Sequence, residues 1–319
     1  MPLQTGRDLH VDAVLSNYVI GRKPAGYIAD QLVPILPVSK RSNLYYKTKF
    51  KENIQWVPNL DRMAPGAAAR EVFWTVSSDT YYAEKFGLGT FWITEDEINA
   101  DEALQYDQES AEMVTDRLLL SYEMRIAQIA NTAANVATTT HVATSWTNVT
   151  GSRPYDDMLN EVENFRQRTT LKPNVAVIPE QVATVMRRSD QIRDLLFGDR
   201  GGIPTNEQLA VLFGVQKLLI PTCFVNTAGP GETAIGSGTL ANAWPNKVLL
   251  AYVSPAPGRK VDTWVQAFRW TDPQLGQPFA IRRLPYNAKR MKQDIDAIYY
   301  QSEKVVSSDL CTVIDSVVG

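Results

Sequence analysis

The residues able to do chemistry are few and scattered. His10 and His141 are the only histidines, and neither has a cysteine or paired carboxylate at a ligand spacing, so each reads as an ordinary polar side chain. Cys223 and Cys311 stand 88 positions apart, outside any CxxC spacing, and read as buried free thiols ahead of a disulfide or a ligand pair. In GPGETAIGSGT, Gly231 and Gly236 fall at phosphate-loop spacing. Ser237 holds the place of the phosphate-binding lysine and no helix pattern follows, so the stretch reads as a loop. Asp294 and Asp296 share one face of a strand and could hold a cation; with no third oxygen ligand, a salt-bridged or solvated face is the better reading. GxSxG and HExxH are both absent. The sequon Asn148-Val149-Thr150 has no meaning in the cytoplasm. No catalytic residue, cofactor site or metal site is predicted.

Composition narrows the classes further. The 319 residues, 44% apolar and 21% charged, suit one large or two medium folded domains. With 35 acids against 32 bases the formal charge is -3, so bulk neutralisation of nucleic-acid phosphate is excluded and any such contact is local. No apolar run approaches the roughly 20 residues of a membrane span, and MPLQTGRDLHVDAVL lacks the basic start and apolar core of a signal peptide. A cytoplasmic protein without membrane contact is expected.

The elements that must position these residues are unusual in order. Thr94 to Asn135 contains neither Gly nor Pro in a chain with eighteen of each. Thr94 and Glu97 have capping-box spacing, and Glu95, Asp96, Asp101 and Glu102 place negative charge at the positive end of the helix dipole. Leu104, Ala111, Val114, Leu118, Tyr122, Ile126, Ile129 and Ala133 then form one helical stripe, about 45 Å long from Leu104 onward. Asn99 and Asp101 leave room for a break. Upstream, Pro24, Pro34 and Pro37 favour an extended arm, and LYYKTKFKE and EVFWTVSSDTYYAEKF read as a two-stranded ribbon around the bend NLDRMAPGAAAR. Such a ribbon is marginal alone and invites packing on another chain. Downstream, after a Thr-rich loop, helices alternate with strands from Tyr155 to Asn226, and strands dominate from Lys247. Charge is segregated: IRRLPYNAKRMK gathers Arg282, Arg283, Lys289, Arg290 and Lys292 around a Pro-Asn turn, away from the acids that open the long helix.

Taken in order, GYIADQLVPILPVSKRSNLYYK, FWITEDEINAD, EQLAVLFGVQKLLI and YYQSEKVVSSDLCTVIDSV resemble the major capsid proteins of tailed bacteriophages, the Hong Kong 97-like fold, over nearly the whole chain. The resemblance implies an α+β shell subunit. Its parts would be an N-terminal arm at 1–39, an E-loop β-hairpin at 40–93, and the spine helix and connection of a peripheral domain at 94–150. An α/β axial domain would follow at 151–255, then peripheral strands at 256–303 and a final strand at 304–319 returning to the axial domain. It further implies self-assembly as hexamers and pentamers into an icosahedral shell around double-stranded DNA bound without sequence specificity. A separate scaffolding protein, a portal and room for a decoration protein are the other expected partners. The virion is the expected location, with assembly in the host cytoplasm. The arm's Val14, Leu15, Tyr18, Ile28, Leu32 and Ile35 would pack mainly on other subunits. Arg282, Arg283, Lys289, Arg290 and Lys292 would meet a neighbour's Glu95, Glu97 and Glu102 near three-fold junctions. The alternatives for the cluster are a solvated turn or contact with packaged DNA. No crosslink is predicted at Lys47, Lys49 or Lys51. The alternatives for the chain are an encapsulin-type compartment or an α/β enzyme on 151–255.

Overall fold

Two sheets share one long helix. The computed structural model describes residues 10–11, 26–47, 61–63, 66, 68, 71, 77–95, 106–198, 201–227, 240–273 and 275–318, the first two by backbone alone. In chain order come β1 (His10–Val11), α1 (Ala29–Leu32), β2 (Ile35–Val38), β3 (Ser42–Lys47), β4 (Ser77–Tyr82) and β5 (Glu84–Ile93). The spine helix α2 (Tyr106–Asn131), β6 (Thr138–His141), α3 (Pro154–Thr169), β7 (Val175–Val177), α4 (Glu180–Arg188), α5 (Asp190–Phe197) and α6 (Asn206–Leu212) follow. The remainder is β8 (Lys217–Leu219), β9 (Phe224–Asn226), β10 (Leu240–Asn242), β11 (Val248–Ala251), β12 (Val265–Trp270), β13 (Phe279–Arg283), β14 (Lys292–Val305) and β15 (Cys311–Asp315).

The first sheet is built on β14. One edge pairs antiparallel with β13 through Ile295–Tyr299 and with β12 through Tyr300–Val305, while the other edge pairs with the full length of β5. β2 adds parallel to β12, and β1 adds antiparallel to β13. The second sheet runs β6-β15-β11-β7-β8. Its central strands are buried on both faces: Leu249 and Val177 enter the core under the spine, whereas Leu250 and Ala176 enter the core under α4–α6. That is why NVAVIP and KVLLAYVS read as continuous apolar runs without alternation.

The spine crosses from one sheet to the other. Ala111, Val114 and Leu118 pack with Trp92, Ile295 and Tyr299 of the first sheet, and Tyr122, Ile126, Ala127 and Ala130 belong to the core shared with the second. Asp107 and Glu109 complement the dipole at its start, and at its end Thr132 Oγ1 and Asn135 Nδ2 donate to the carbonyls of Gln128 and Ile129. Leu104 and the lead-in at 96–105 lie outside the described residues; Ala133 sits in a 3₁₀ turn and is exposed.

Several expectations need correction. The ribbon expected over 40–93 ends at Ala83, because β5 pairs with β14, not with β3. The Thr-rich loop supplies β6, which lies parallel to β15 in the second sheet. Within the alternation expected from Tyr155 to Asn226, α4 and α5 are separate helices, since Ser189 between them takes an extended ψ of 131°. The last stretch of that alternation holds two strands, β8 and β9, with Pro221 between them. The arm residues Ile28 and Leu32 do not wait for another subunit: they are 4% and 0% exposed, packed in the chain's own core beside Tyr122 and Ile126. Ile35 is half-buried in β2, and Val14, Leu15 and Tyr18 lie outside the described residues.

This burial makes Leu32→Ala costly before any assembly. Urea unfolding of the unassembled subunit should show a loss of about 2–5 kcal/mol, where an arm stabilised only by neighbours would show no change.

Candidate inter-subunit surface

The ribbon stem has two unlike faces. Register pairs Asn43 with Tyr81, Tyr45 with Asp79 and Lys47 with Ser77 on the inner face, and Ser42 with Tyr82, Leu44 with Thr80 and Tyr46 with Ser78 on the outer face. On the inner face Tyr81 stacks on Phe268 at 4.4 Å and Tyr45 tilts against it at 5.3 Å, with Val38 and Val306 completing the cluster. Tyr45 Oη and Lys47 Nζ both donate to Asp79 Oδ2, at 3.2 and 2.9 Å. Lys47, with the Thr80 amide, holds the Asp79 carboxyl down at about 2, and burial next to Asp79 pushes the Tyr45 hydroxyl up. The outer face is bare: Leu44, Tyr46 and Tyr82 are 47%, 42% and 52% exposed.

Ala83 is where the strand changes partner. Its N–H donates to the Arg41 carbonyl at 2.8 Å, and Arg41 Nε donates back to the Ala83 carbonyl at 3.1 Å. The Arg41 guanidinium also lies 4.7 Å from the Tyr82 ring, at a distance suited to a cation–π contact. Beyond it, Gly87 and Gly89 sit against β14: a Cβ at Gly87 would come within 3.0 Å of Ile298 Cγ1, and one at Gly89 within 3.2 Å of the Ile295 carbonyl. Their lack of side chains leaves a broad groove of 650 Å³ rimmed by Lys85, Phe91, Arg282 and Asp296.

The basic turn divides into engaged and free residues. Arg282 pairs with Asp296, Arg283 with Asp107 at the start of the spine, and Lys292 with Asp294 at 2.7 Å. The two aspartates considered for a cation therefore each hold a base. Lys289 and Arg290 remain exposed at the hairpin tip beside Tyr286 and Met291, and neither side chain meets an acid among the described residues. The tip is shaped by Asn287, whose backbone N–H and C=O bond to Lys292 and whose Oδ1 accepts from the Arg290 amide, and by Met291 at φ +47°. Thr94 Oγ1 meets the Tyr286 hydroxyl and the Met291 carbonyl, so the entry to the helix lead-in is tied to this tip. Glu95 is exposed; Glu97 and Glu102 lie outside the described residues.

One contact set had no local signal in the sequence. Arg125 on the spine donates to Tyr299 Oη at 2.8 Å and to Glu303 Oε1 at 3.0 Å, and its guanidinium covers the Phe86 ring at 3.9 Å. Its polar partners are 174 and 178 residues away, which no spacing rule reaches. The other chemically capable residues are structural. His141 Nδ1 lies 3.3 Å from Ser316 Oγ, and Cys223 and Cys311 are buried, their thiols pushed up by burial, Cys223 to about 11. The side chain of His10 and residues 228–239, with Gly231, Gly236 and Ser237, lie outside the described residues. No group of three metal-ligating side chains occurs among the described residues.

A chain made of an arm, a ribbon, a spine helix across two sheets and a late basic hairpin has the architecture of phage capsid subunits, and comparison with solved structures agrees. The chain superposes on a phage-related protein from Bordetella bronchiseptica with a TM-score of 0.70 at 18% identity, over 97% of this chain and 98% of that one. It matches the capsid of cyanophage P-SCSP1u with a TM-score of 0.62 at 13% identity, over 98% and 92%. An encapsulin complex of Synechococcus elongatus matches less closely, with a TM-score of 0.51 at 14% identity over 97% and 96%. The chain has the Hong Kong 97-like capsid fold. At the level of sequence it is similar to the major capsid protein of Pseudomonas phage JBD67, 24% identical over 270 residues, which is 82% of this chain and 84% of that protein. No family model matches.

The aromatic clamp predicts how the ribbon is held. Phe268→Ala should cost the unassembled subunit about 3–5 kcal/mol in urea unfolding, whereas Tyr46→Ser on the bare face should change it by less than about 0.5 kcal/mol.

Proposed function

We infer that the chain is a major capsid protein, a subunit that assembles with copies of itself into the icosahedral shell of a phage head. The observation that carries this is the sequence likeness to a phage major capsid protein along four-fifths of the chain, on a fold matched nearly end to end. The bare face of the ribbon supports it. Leu44, Tyr46 and Tyr82 form an apolar strip on a stem whose opposite face is fixed to the body, which suits burial against a neighbouring copy. Its role is structural, not enzymatic, and its place is the virion.

The finer reading rests on the resemblance. Residues 1–39 act as arm and 40–83 as E-loop; the spine and the first sheet form the peripheral domain, and the second sheet with α3–α6 forms the axial domain. The copies are arranged as hexamers and pentamers, built in the host cytoplasm with a separate scaffolding protein and a portal, with a decoration protein as a further partner. The packaged double-stranded DNA is bound without sequence specificity. Lys289 and Arg290, the exposed cations of the turn, meet acids of a neighbour such as Glu95, Glu97 and Glu102 and set docking register. Arg282, Arg283 and Lys292 serve their own subunit instead. An encapsulin-type compartment shares the fold; the sequence likeness favours the phage head, and packaged DNA in particles from infected cells distinguishes the two.

The test is co-expression with the scaffolding protein, followed by sedimentation and electron microscopy. Closed shells are expected, and a well-folded monomer at micromolar concentration overturns the reading. Reversal of Lys289 and Arg290 together to Glu should lower shell yield with the subunit's melting temperature unchanged, whereas Arg283→Glu should lower the melting temperature itself. Each exposed pair contributes only about 0–1 kcal/mol, so the yield loss comes from repetition around each junction.

A further inference from the structure

β5 is an edge strand of the first sheet. Its ten residues pair with β14 in one unbroken register, and no strand pairs with its other side among the described residues. The direction of each backbone group can be read from the end of this ladder. Thr94 N–H donates to the Met291 carbonyl at 2.9 Å, and these two residues stand opposite each other one pair beyond Ile93 and Lys292. By the alternation of an antiparallel ladder, Trp92, Thr90, Leu88 and Phe86 then also turn their N–H and C=O towards β14. Those of Lys85, Gly87, Gly89, Phe91 and Ile93 turn outward. All of these outward residues are exposed.

An open edge offers a ready-made ladder to another chain, so folded proteins blunt theirs with proline, charge or a bulge. β5 has no proline, its register has no bulge, and Lys85 is the only charged residue among those that turn outward. Gly87 and Gly89 go further and bare the backbone at the floor of the 650 Å³ groove. A glycine inside a strand often marks the place where another backbone or group comes close. Phe91, 56% exposed, stands on the same face as these two glycines.

We propose that the outer edge of β5 pairs antiparallel with the outer edge of β5 in a second copy of this chain, about a two-fold axis through Gly89. The edge itself sets the register. Of the antiparallel self-pairings that keep each side chain on its own face, only the one centred on Gly89 carries Lys85, Gly87, Gly89, Phe91 and Ile93 onto that same set. Lys85 then lies opposite Ile93, and Gly87 opposite Phe91. Each Phe91 ring covers the second copy's Gly87 and fills its groove, a cross-strand pairing of aromatic with glycine. At each end Lys85 reaches towards the second copy's exposed Glu95, just past Ile93, which leaves Glu97 and Glu102 for the basic turn. The contact is isologous, as a two-fold requires. One pair of strands is small beside the roughly 1,600 Å² of a standard interface, so it holds where an assembly repeats it. In this the proposal rests on the reading of the chain as a shell subunit.

A pair of cysteine variants tests the register. Leu88 of one copy and Thr90 of the other form a non-hydrogen-bonded pair, with Cα atoms about 4.5 Å apart and within disulfide reach. Leu88 to Leu88 and Thr90 to Thr90 are diagonal, at about 7–8 Å, and too far. Full-length Leu88→Cys and Thr90→Cys chains, one of them tagged, are co-expressed, and the particles are oxidised and run without reductant; the native Cys223 and Cys311 are buried. A mixed disulfide dimer is expected, with neither variant crosslinking when expressed alone. Phe91→Ser in both chains should lower the mixed dimer several-fold and leave the melting temperature of the unassembled subunit little changed. Crosslinking of either variant alone means another register and overturns the proposal. Particles without the mixed disulfide overturn it and leave the shell reading standing, whereas absence of particles from the wild-type chain overturns both. In wild-type particles the amides of Gly87, Gly89 and Phe91 should exchange roughly tenfold more slowly than in the unassembled subunit. Unchanged exchange there overturns the proposal whatever the variants do, and slowed exchange without the mixed disulfide means that a different strand covers the edge and refutes it equally.

Discussion

A strand of fourteen residues with hydrogen bonds along both edges, β14, governs how the rest of the chain is arranged. One edge holds β5, and with it the ribbon; the other holds β13 and β12 in succession, and with them the basic hairpin and the residue that clamps the ribbon, Phe268. Ile295, Ala297 and Tyr299, alternating along the strand, give the spine its first seat. A one-residue slip would turn these three outward and move Asp294 and Asp296 into the core, taking Asp296 away from Arg282. Register here therefore fixes helix, ribbon and turn together.

The spine's length follows from the same arrangement. A helix that served one sheet would be covered after a few turns, but this one continues until Tyr122, Ile126 and Ala130 reach the second core. One rod thus joins two cores, and the outer face of the ribbon, with Leu44, Tyr46 and Tyr82, stays exposed.

Much of this was legible in the sequence because it depends on local pattern. The spine's stripe from Ala111 to Ile126 and the paired strands of the ribbon stem both follow from periodicity. What escaped depends on partners distant in the chain. Nothing near Glu123 in the sequence signals that it accepts from Trp244 and from two arm amides, and a Glu at a helical position ordinarily faces water. β6 escaped because TTTH has no alternation to display; it is a strand because β15 offers it a parallel edge, and all four residues are exposed. Pro24, Pro34 and Pro37 favour an extended arm that packs on other subunits, yet Ile28, Leu32 and Val33 lie between those prolines and need no long element to be buried in their own chain. The charge cluster showed where the cations are but not which were already engaged, since Asp107 and Asp296 are neighbours of Arg283 and Arg282 only in the fold.

The partner change at Ala83 has a mechanical meaning. Residues 77–93 form one nearly continuous extended segment, fastened at its stem by stacked aromatics and then, over ten residue pairs, to β14. A pull along the ribbon reaches β5 along its own axis, so the ladder is loaded in shear. All ten pairs must then slip together, whereas peeling would break them one after another. A ribbon seated this way resists such a pull as a lap joint does, with resistance set by overlap length and not by the strength of any single bond.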